Sequence, residues 1–216
     1  MENQVRDPQC RDPGKQDSPE QFPNRRLSEV VRKAFHFLIA LAPVLAQYHK
    51  TYTLALLAGG TAAYAVMETL RRRGFRIPLV SSLTVFASRR RDRGRFVLGP
   101  VTLGMGAFLT LVLFPPVAAA AGVYALAFGD GTASLAGKFS GRLRLPFLFG
   151  KSLEGSLACF LGAFISAYLV SQPLGNRWHI ALIAACTATA AELLPIRDWD
   201  NIIIPLATAS AVQLFS

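Results

Sequence analysis

Apolar residues along this chain come in long unbroken blocks rather than in alternation or in one-faced helical stripes. Stretches such as "VAAAAGVYALAF" and "LACFLGAFISAYLV" offer no polar face that a soluble helix bundle could turn to water. Blocks of this length predict helices able to cross a hydrocarbon core about 30 Å thick. The predicted spans are Ala34 to Tyr48, Tyr52 to Met67, Val97 to Phe114, Val117 to Gly137, Leu153 to Val170, Trp178 to Leu194 and Ile202 to Phe215. The expected fold is therefore all-α, a polytopic membrane protein with about seven transmembrane helices. Residues 28–216 would form one transmembrane catalytic domain behind a disordered cytoplasmic tail, residues 1–27. That tail mixes charges and prolines without an apolar core, unlike a signal peptide.

Charge adds a direction. The 216 residues are 52% hydrophobic yet carry a formal charge of +10, and the cations sit in the joints between blocks. Arg71, Arg72, Arg73, Arg76, Arg89, Arg90, Arg91, Arg93 and Arg95 crowd one joint, opposed by Asp92. Cationic loops stay on the cytoplasmic side, which places the N-terminus there too. The segments predicted outside carry only Lys50 and Arg177. The arginine-rich joint itself reads as an interfacial helix on anionic headgroups, with direct nucleotide contact as the alternative. Nucleic acid is not an expected partner, because no soluble domain would present the charge. A bacterial cytoplasmic membrane is the expected location. Cys10, Cys159 and Cys186 have neither metal-site nor disulfide spacing.

Under this orientation every conspicuous polar residue falls at the cytoplasmic end. Arg32, Lys33 and His36 open the first span, Glu68 closes the second, and Asp130 lies in the inner half of the fourth. Lys151, Ser152, Glu154 and Ser156 open the fifth, Glu192 closes the sixth, and Asp198, Asp200 and Asn201 precede the seventh. An ionised carboxylate within a span requires a partner. For Asp130 that partner could be a magnesium ion shared with substrate phosphates, or else Lys138 or an arginine. Gly129 and Gly131 beside it would let a backbone approach a ligand or break the helix. If the helix persists, Asp130, Ser134 and Lys138 share a face, as do Glu29, Arg32, Lys33 and His36. Lys138, Arg142, Arg144 and Lys151 supply cations; cations for phosphates plus a carboxylate for a metal suit phosphoryl or nucleotidyl transfer. "GKS" at 150–152 is not a phosphate-binding P-loop, since Leu145 stands where that pattern needs glycine. More plainly, "GKSLEGS" reads as a helix start, and Glu68 beside Arg71 and Arg72 as a helix-end ion pair.

The motifs "RKAFHFLIAL", "YAVMETLRRRG", "GDGTASLAGKFSGRLRLPF", "GKSLEGSLACFLGAF" and "AELLPIRDWDNIIIPL", in this order, resemble the CTP-dependent lipid-alcohol kinases: dolichol kinase, phytol kinase and the yeast-type diacylglycerol kinase. That resemblance implies transfer of the γ-phosphate of CTP, with Mg2+, to the hydroxyl of a membrane lipid alcohol: a polyprenol or dolichol, a phytol-like prenol, or diacylglycerol. It implies that Asp130, Lys151, Glu192 and Asp200 are catalytic, with Asp130 and Asp200 on the metal. Gly129, Gly131, Lys138, Arg142, Lys151, Ser152, Glu154, Gly155, Ser156 and Asn201 would contact nucleotide and phosphates, with Arg32, Lys33, His36 and Glu68 as further candidates. The central motifs are also similar to phosphatidate cytidylyltransferase, but "IRDWDNIIIP" departs from that family's terminal pattern. A membrane transporter or scaffold is the non-enzymatic alternative.

Overall fold

The computed structural model describes residues 25–74, 96–143, 151–172 and 178–216. Most of the predicted tail, the arginine-rich joint beyond Gly74, Arg144 and Gly150 lie outside the described residues. Every element among the described residues is helical: α1 (Arg25–Ile39), α2 (Leu41–Arg72), α3 (Gly99–Leu113), α4 (Pro116–Tyr124), α5 (Gly131–Phe139), α6 (Leu153–Ser171), α7 (Trp178–Leu193) and α8 (Asp200–Phe215). A π-helical turn, Ala125–Asp130, fuses α4 to α5, and a 3-10 turn, Arg197–Trp199, leads into α8. The apolar blocks thus all become helical, the later ones close to their predicted bounds, whereas the first predicted span, Ala34 to Tyr48, is divided between α1 and α2.

The first two predicted spans are divided by backbone chemistry. Pro43 has no N–H to offer the Ile39 carbonyl, and the chain leaves helical bonding at Ala40, between α1 and α2. Within α2, His49 departs from helical geometry (φ −144°, ψ 77°), at the predicted connection. Pro115, extended, and Pro116 in the first turn of α4 separate α3 from α4.

The core is built from small side chains. Ala107, Ala125, Ala163, Ala184, Ala185, Ala188 and Ala209 are completely buried, which lets helix backbones approach closely. Among larger apolar side chains Leu126, Ile180 and Ile204 are buried with them, while many others face outward. Leu157, Leu161, Ile165 and Leu169 repeat every fourth residue on α6 and are 57%, 48%, 56% and 64% exposed. α2 and α6 are long and apolar enough to cross a membrane; α3, α7 and α8 are shorter apolar helices.

α8 shows how the sequence sets one close crossing. Pro205 lies inside it and cannot donate to the Asn201 carbonyl one turn back. That carbonyl sits against Gly106 of α3, where any Cβ would collide with it. The Asn201 amide meanwhile donates to Thr102 Oγ1 (2.9 Å) and the Gly99 carbonyl (3.3 Å). Gly106→Ala is expected to destabilise by roughly 1–3 kcal/mol through overpacking, read as a lowered thermal midpoint. Gly59→Ala, where a Cβ meets nothing within 4 Å, should not lower it.

Candidate functional site

Helix ends that carry polar residues gather at one end of the bundle. Glu68 near the end of α2 accepts from the Val97 amide just before α3 (3.2 Å). Asn201 ties the start of α8 to that of α3. Lys151 before α6 pairs with Glu192 at the end of α7 (2.7 Å). A cavity opens at this end, lined by Arg32, Lys33 and His36 of α1, Gly99, Pro100 and Leu103 of α3, Asp130 and Ser134, and Asp198, Asp200 and Asn201 before and in α8. Three of the sequence motifs, far apart in the chain, therefore face one space.

Asp130 closes the π turn. Such a turn inserts an extra residue per bond and re-aims the side chains after it. Thr132 serves the widened backbone: its hydroxyl lies 2.5 Å from the Phe128 carbonyl and 3.0 Å from that of Ala158 on α6. The flanking glycines do not break the helix. A Cβ on Gly131 would press the Phe37 ring at 3.2 Å, and one on Gly129 would touch Cys159 Sγ at 3.4 Å. They admit α1 on one side and α6 on the other, so of the two sequence readings, close approach or a broken helix, the structure shows close approach, by protein rather than ligand.

The Asp130 carboxylate, buried, takes Lys33 Nζ at 2.6 Å and His36 Nε2 at 3.0 Å, both on Oδ2. Its protein partners thus come from the α1 face rather than from Lys138 or an arginine, the two alternatives read from sequence. Lys33 and His36, on the polar face of α1 where it enters its apolar stretch, were the available signal for a buried acid opposite them. The bond to Asp130 sets the His36 proton on Nε2, which leaves Nδ1 as an acceptor. That atom is buried without a hydrogen-bond partner.

A second cluster lies beside the first. Glu192 and Ser156 are buried, and Glu192 Oε2 and Ser156 Oγ have no hydrogen-bond partner. Cys159, buried, packs under Gly129, the residue before Asp130.

Other predicted site residues have structural partners here. Ser152 caps α6 by accepting from Gly155 N at 3.2 Å, as the helix-start reading expects. Gly155 lies where a Cβ would stand 3.0 Å from the Ala133 carbonyl. Glu154 Oε1 accepts from the amides of Arg142 (2.9 Å) and Leu143 (3.1 Å), pinning the chain after α5. Lys138 and Arg142 are exposed and do not line the cavity. Glu68, fully buried, receives a two-pronged contact from Arg71 at 2.7 and 2.8 Å and also lies outside the lining.

Phe35, Gly99, Pro100, Leu103 and Ser134 line the cavity without having been singled out as site residues. A glycine–proline pair opening a helix was the available sign for 99 and 100. Among the described residues no three His, Cys, Asp or Glu side chains gather as a metal cage. Asp130, Asp198 and Asp200 do line one cavity, a donor set that suits an ion carried mainly by phosphates.

Comparisons with known proteins agree with this picture in part. The chain is 34% identical over 140 residues to the phytol kinase of Synechocystis sp., covering 62% of this chain and 59% of that protein. It is 38% identical over 98 residues to phytol kinase 1 of Arabidopsis thaliana, covering 40% of this chain and 32% of the plant protein. An uncharacterised protein of Methanocaldococcus jannaschii is 28% identical over 192 residues, 87% of this chain and 94% of its own length. The chain thus matches less than two thirds of the length of these phytol kinases, but nearly all of the archaeal protein. No family model matches the chain, and no solved structure does.

Proposed function

We propose that the protein is a membrane-embedded kinase that transfers the γ-phosphate of CTP to the hydroxyl of a prenol-type lipid alcohol. The observation that carries this reading is the cavity itself: Arg32, Lys33, His36, Asp130, Asp198, Asp200 and Asn201 converge there. Similarity to phytol kinases supports the reaction class. The outward apolar stripe on α6 is the surface that acyl chains would cover. Tyr48 and Tyr52, strongly exposed on either side of His49, suit the opposite headgroup region. The bundle would then cross the membrane about seven times, with the cavity on the cytoplasmic side where the nucleotide is found.

In the reaction, the alcohol oxygen bonds to the γ-phosphorus as the bond from that phosphorus to the β,γ-bridging oxygen breaks. The hydroxyl proton passes to His36 Nδ1, and CDP leaves. Asp130 holds the imidazole through Nε2 and steadies the positive charge that develops on it, the role a carboxylate plays behind a catalytic histidine. This gives Asp130 to the proton, where the sequence reading gave it to the metal. Mg2+, when bound, would neutralise phosphate charge, and Asp198 and Asp200 are the carboxylates placed to hold it. Arg32 and Lys151 contribute cations for the phosphates.

Membranes containing the protein, given CTP labelled at the γ- or the α-phosphorus with a panel of prenols, diacylglycerol and phosphatidate, test the proposal. Transfer of γ-label to a prenol is expected. Entry of α-label into phosphatidate would replace the kinase with a cytidylyltransferase, and no transfer from either would leave a transporter or scaffold.

A further inference from the structure

The polar cavity adjoins a second space. Phe35, Pro100 and Leu103 line it on one side and line a larger apolar groove on the other. One wall of that groove is Leu38, Leu41 and Leu45; the facing wall is Leu56, Gly60 and Tyr64, beyond the corner at His49. Its back is closed where Thr61 packs on Gly104, at a spot with no room for a Cβ. From Phe35 to Leu45 the groove follows ten residues of nearly continuous helix, about 15 Å at 1.5 Å per residue. That is half of a hydrocarbon core of roughly 30 Å.

We propose that this groove holds the hydrocarbon tail of a single-chain lipid alcohol, lying within one leaflet with its hydroxyl at Phe35 and Leu103. The assignment of the hydroxyl rests on the kinase reading; the occupancy of the groove does not. Adjacency to the polar cavity decides the occupant. A tail seated along Leu38 to Leu45 brings its head to Phe35 and Leu103, which also line the cavity that His36 lines. Leucines, one tyrosine and two threonines offer a tail dispersion contacts and no cation for a phosphate headgroup. Among the described residues one such groove borders the cavity, which favours one chain over the two of diacylglycerol.

Gly60 supplies the test. A Cβ there meets nothing within 4 Å, so Gly60→Leu enters at an open position of the groove lining, and the helix gains a better former. Gly59 is equally open but does not line the groove, so Gly59→Leu is the control. Leu56→Trp is a second blocking variant. The probe is a C20 prenol carrying a diazirine near its tail end, photolysed with the full-length protein in phosphatidylcholine vesicles, with labelled peptides then sequenced.

Label is expected on residues 35–64, displaced by unlabelled C20 prenol and not by diacylglycerol. It should fall at least tenfold in Gly60→Leu and Leu56→Trp and stay in Gly59→Leu. Label spread equally over the Leu157 to Leu169 stripe, displacement by diacylglycerol, or full labelling of both blocked variants would overturn the assignment. Groove labelling without γ-phosphate transfer would keep the groove and remove the kinase; transfer to prenol without groove labelling would do the reverse.

Discussion

Asp130→Asn is expected to lower turnover of a prenol with γ-labelled CTP by roughly 10³- to 10⁴-fold, the scale seen when a carboxylate behind a catalytic histidine loses its charge. The same change leaves the Lys33 ammonium buried without its counter-charge, 2.6 Å from a neutral amide. Breaking one side of a buried pair costs about 3–5 kcal/mol, so yield of folded protein should fall as well. The two effects are separable. In Lys33→Met/Asp130→Asn both members of the pair become uncharged, and stability should return towards wild type; activity should not, because His36 still lacks its carboxylate. His36→Gln removes the proton acceptor while leaving the Lys33–Asp130 pair intact, and should be stable and inactive. A double variant with wild-type turnover would show that Asp130 only anchors α1. The readouts are initial rate and thermal midpoint, measured on the same preparations.

The helices were legible because lipid-length apolar blocks leave the backbone one way to satisfy itself, and prolines 115 and 116 mark where it cannot continue; the first predicted span ran through Pro43, and the division of α1 from α2 there was missed. The gathering of Arg32, His36, Asp130 and Asp200 at one end was legible too, since charge in the joints fixes which helix ends lie together. Pairing was not. Whether Asp130 meets Lys33, Lys138 or an ion depends on the rotation of α1 about its axis, and on the π turn that re-aims residue 130 by a fraction of a helical turn. Neither leaves a mark in residue spacing. The glycines around Asp130 were read as ligand clearance, whereas they make room for Phe37 and Cys159; a glycine records that something comes close, not what. In the same way "GKSLEGS" carried two readings, a helix start from the residues and nucleotide and phosphate contacts from the resemblance. Ser152, Glu154 and Gly155 instead hold the helix start and its neighbouring loop, which narrows that motif's free chemistry to Lys151 and Ser156.

Lys151→Ala should therefore have the other large effect. Its side chain is 29% exposed and its ammonium is held by Glu192 at 2.7 Å, just before α6. A partly exposed cation paired with one carboxylate can exchange that partner for a polyphosphate. Loss of one such donor from a transferring phosphate typically costs 10²- to 10³-fold in rate, and that loss is expected in kcat/KM for CTP. Truncation also strands Glu192, whose Oε2 already has no partner, so some destabilisation is expected in Lys151→Ala. Lys151→Ala/Glu192→Gln should relieve it without restoring turnover. Glu192→Gln alone makes the sharper distinction. If the glutamate only parks the lysine, the amide keeps a hydrogen bond to it, and the cation is freer to meet phosphate: activity should stay within a few-fold of wild type, with KM for CTP unchanged or lower. A thousandfold loss in Glu192→Gln would instead place its carboxylate on the reacting groups, and full activity in Lys151→Ala would remove this cluster from the nucleotide site.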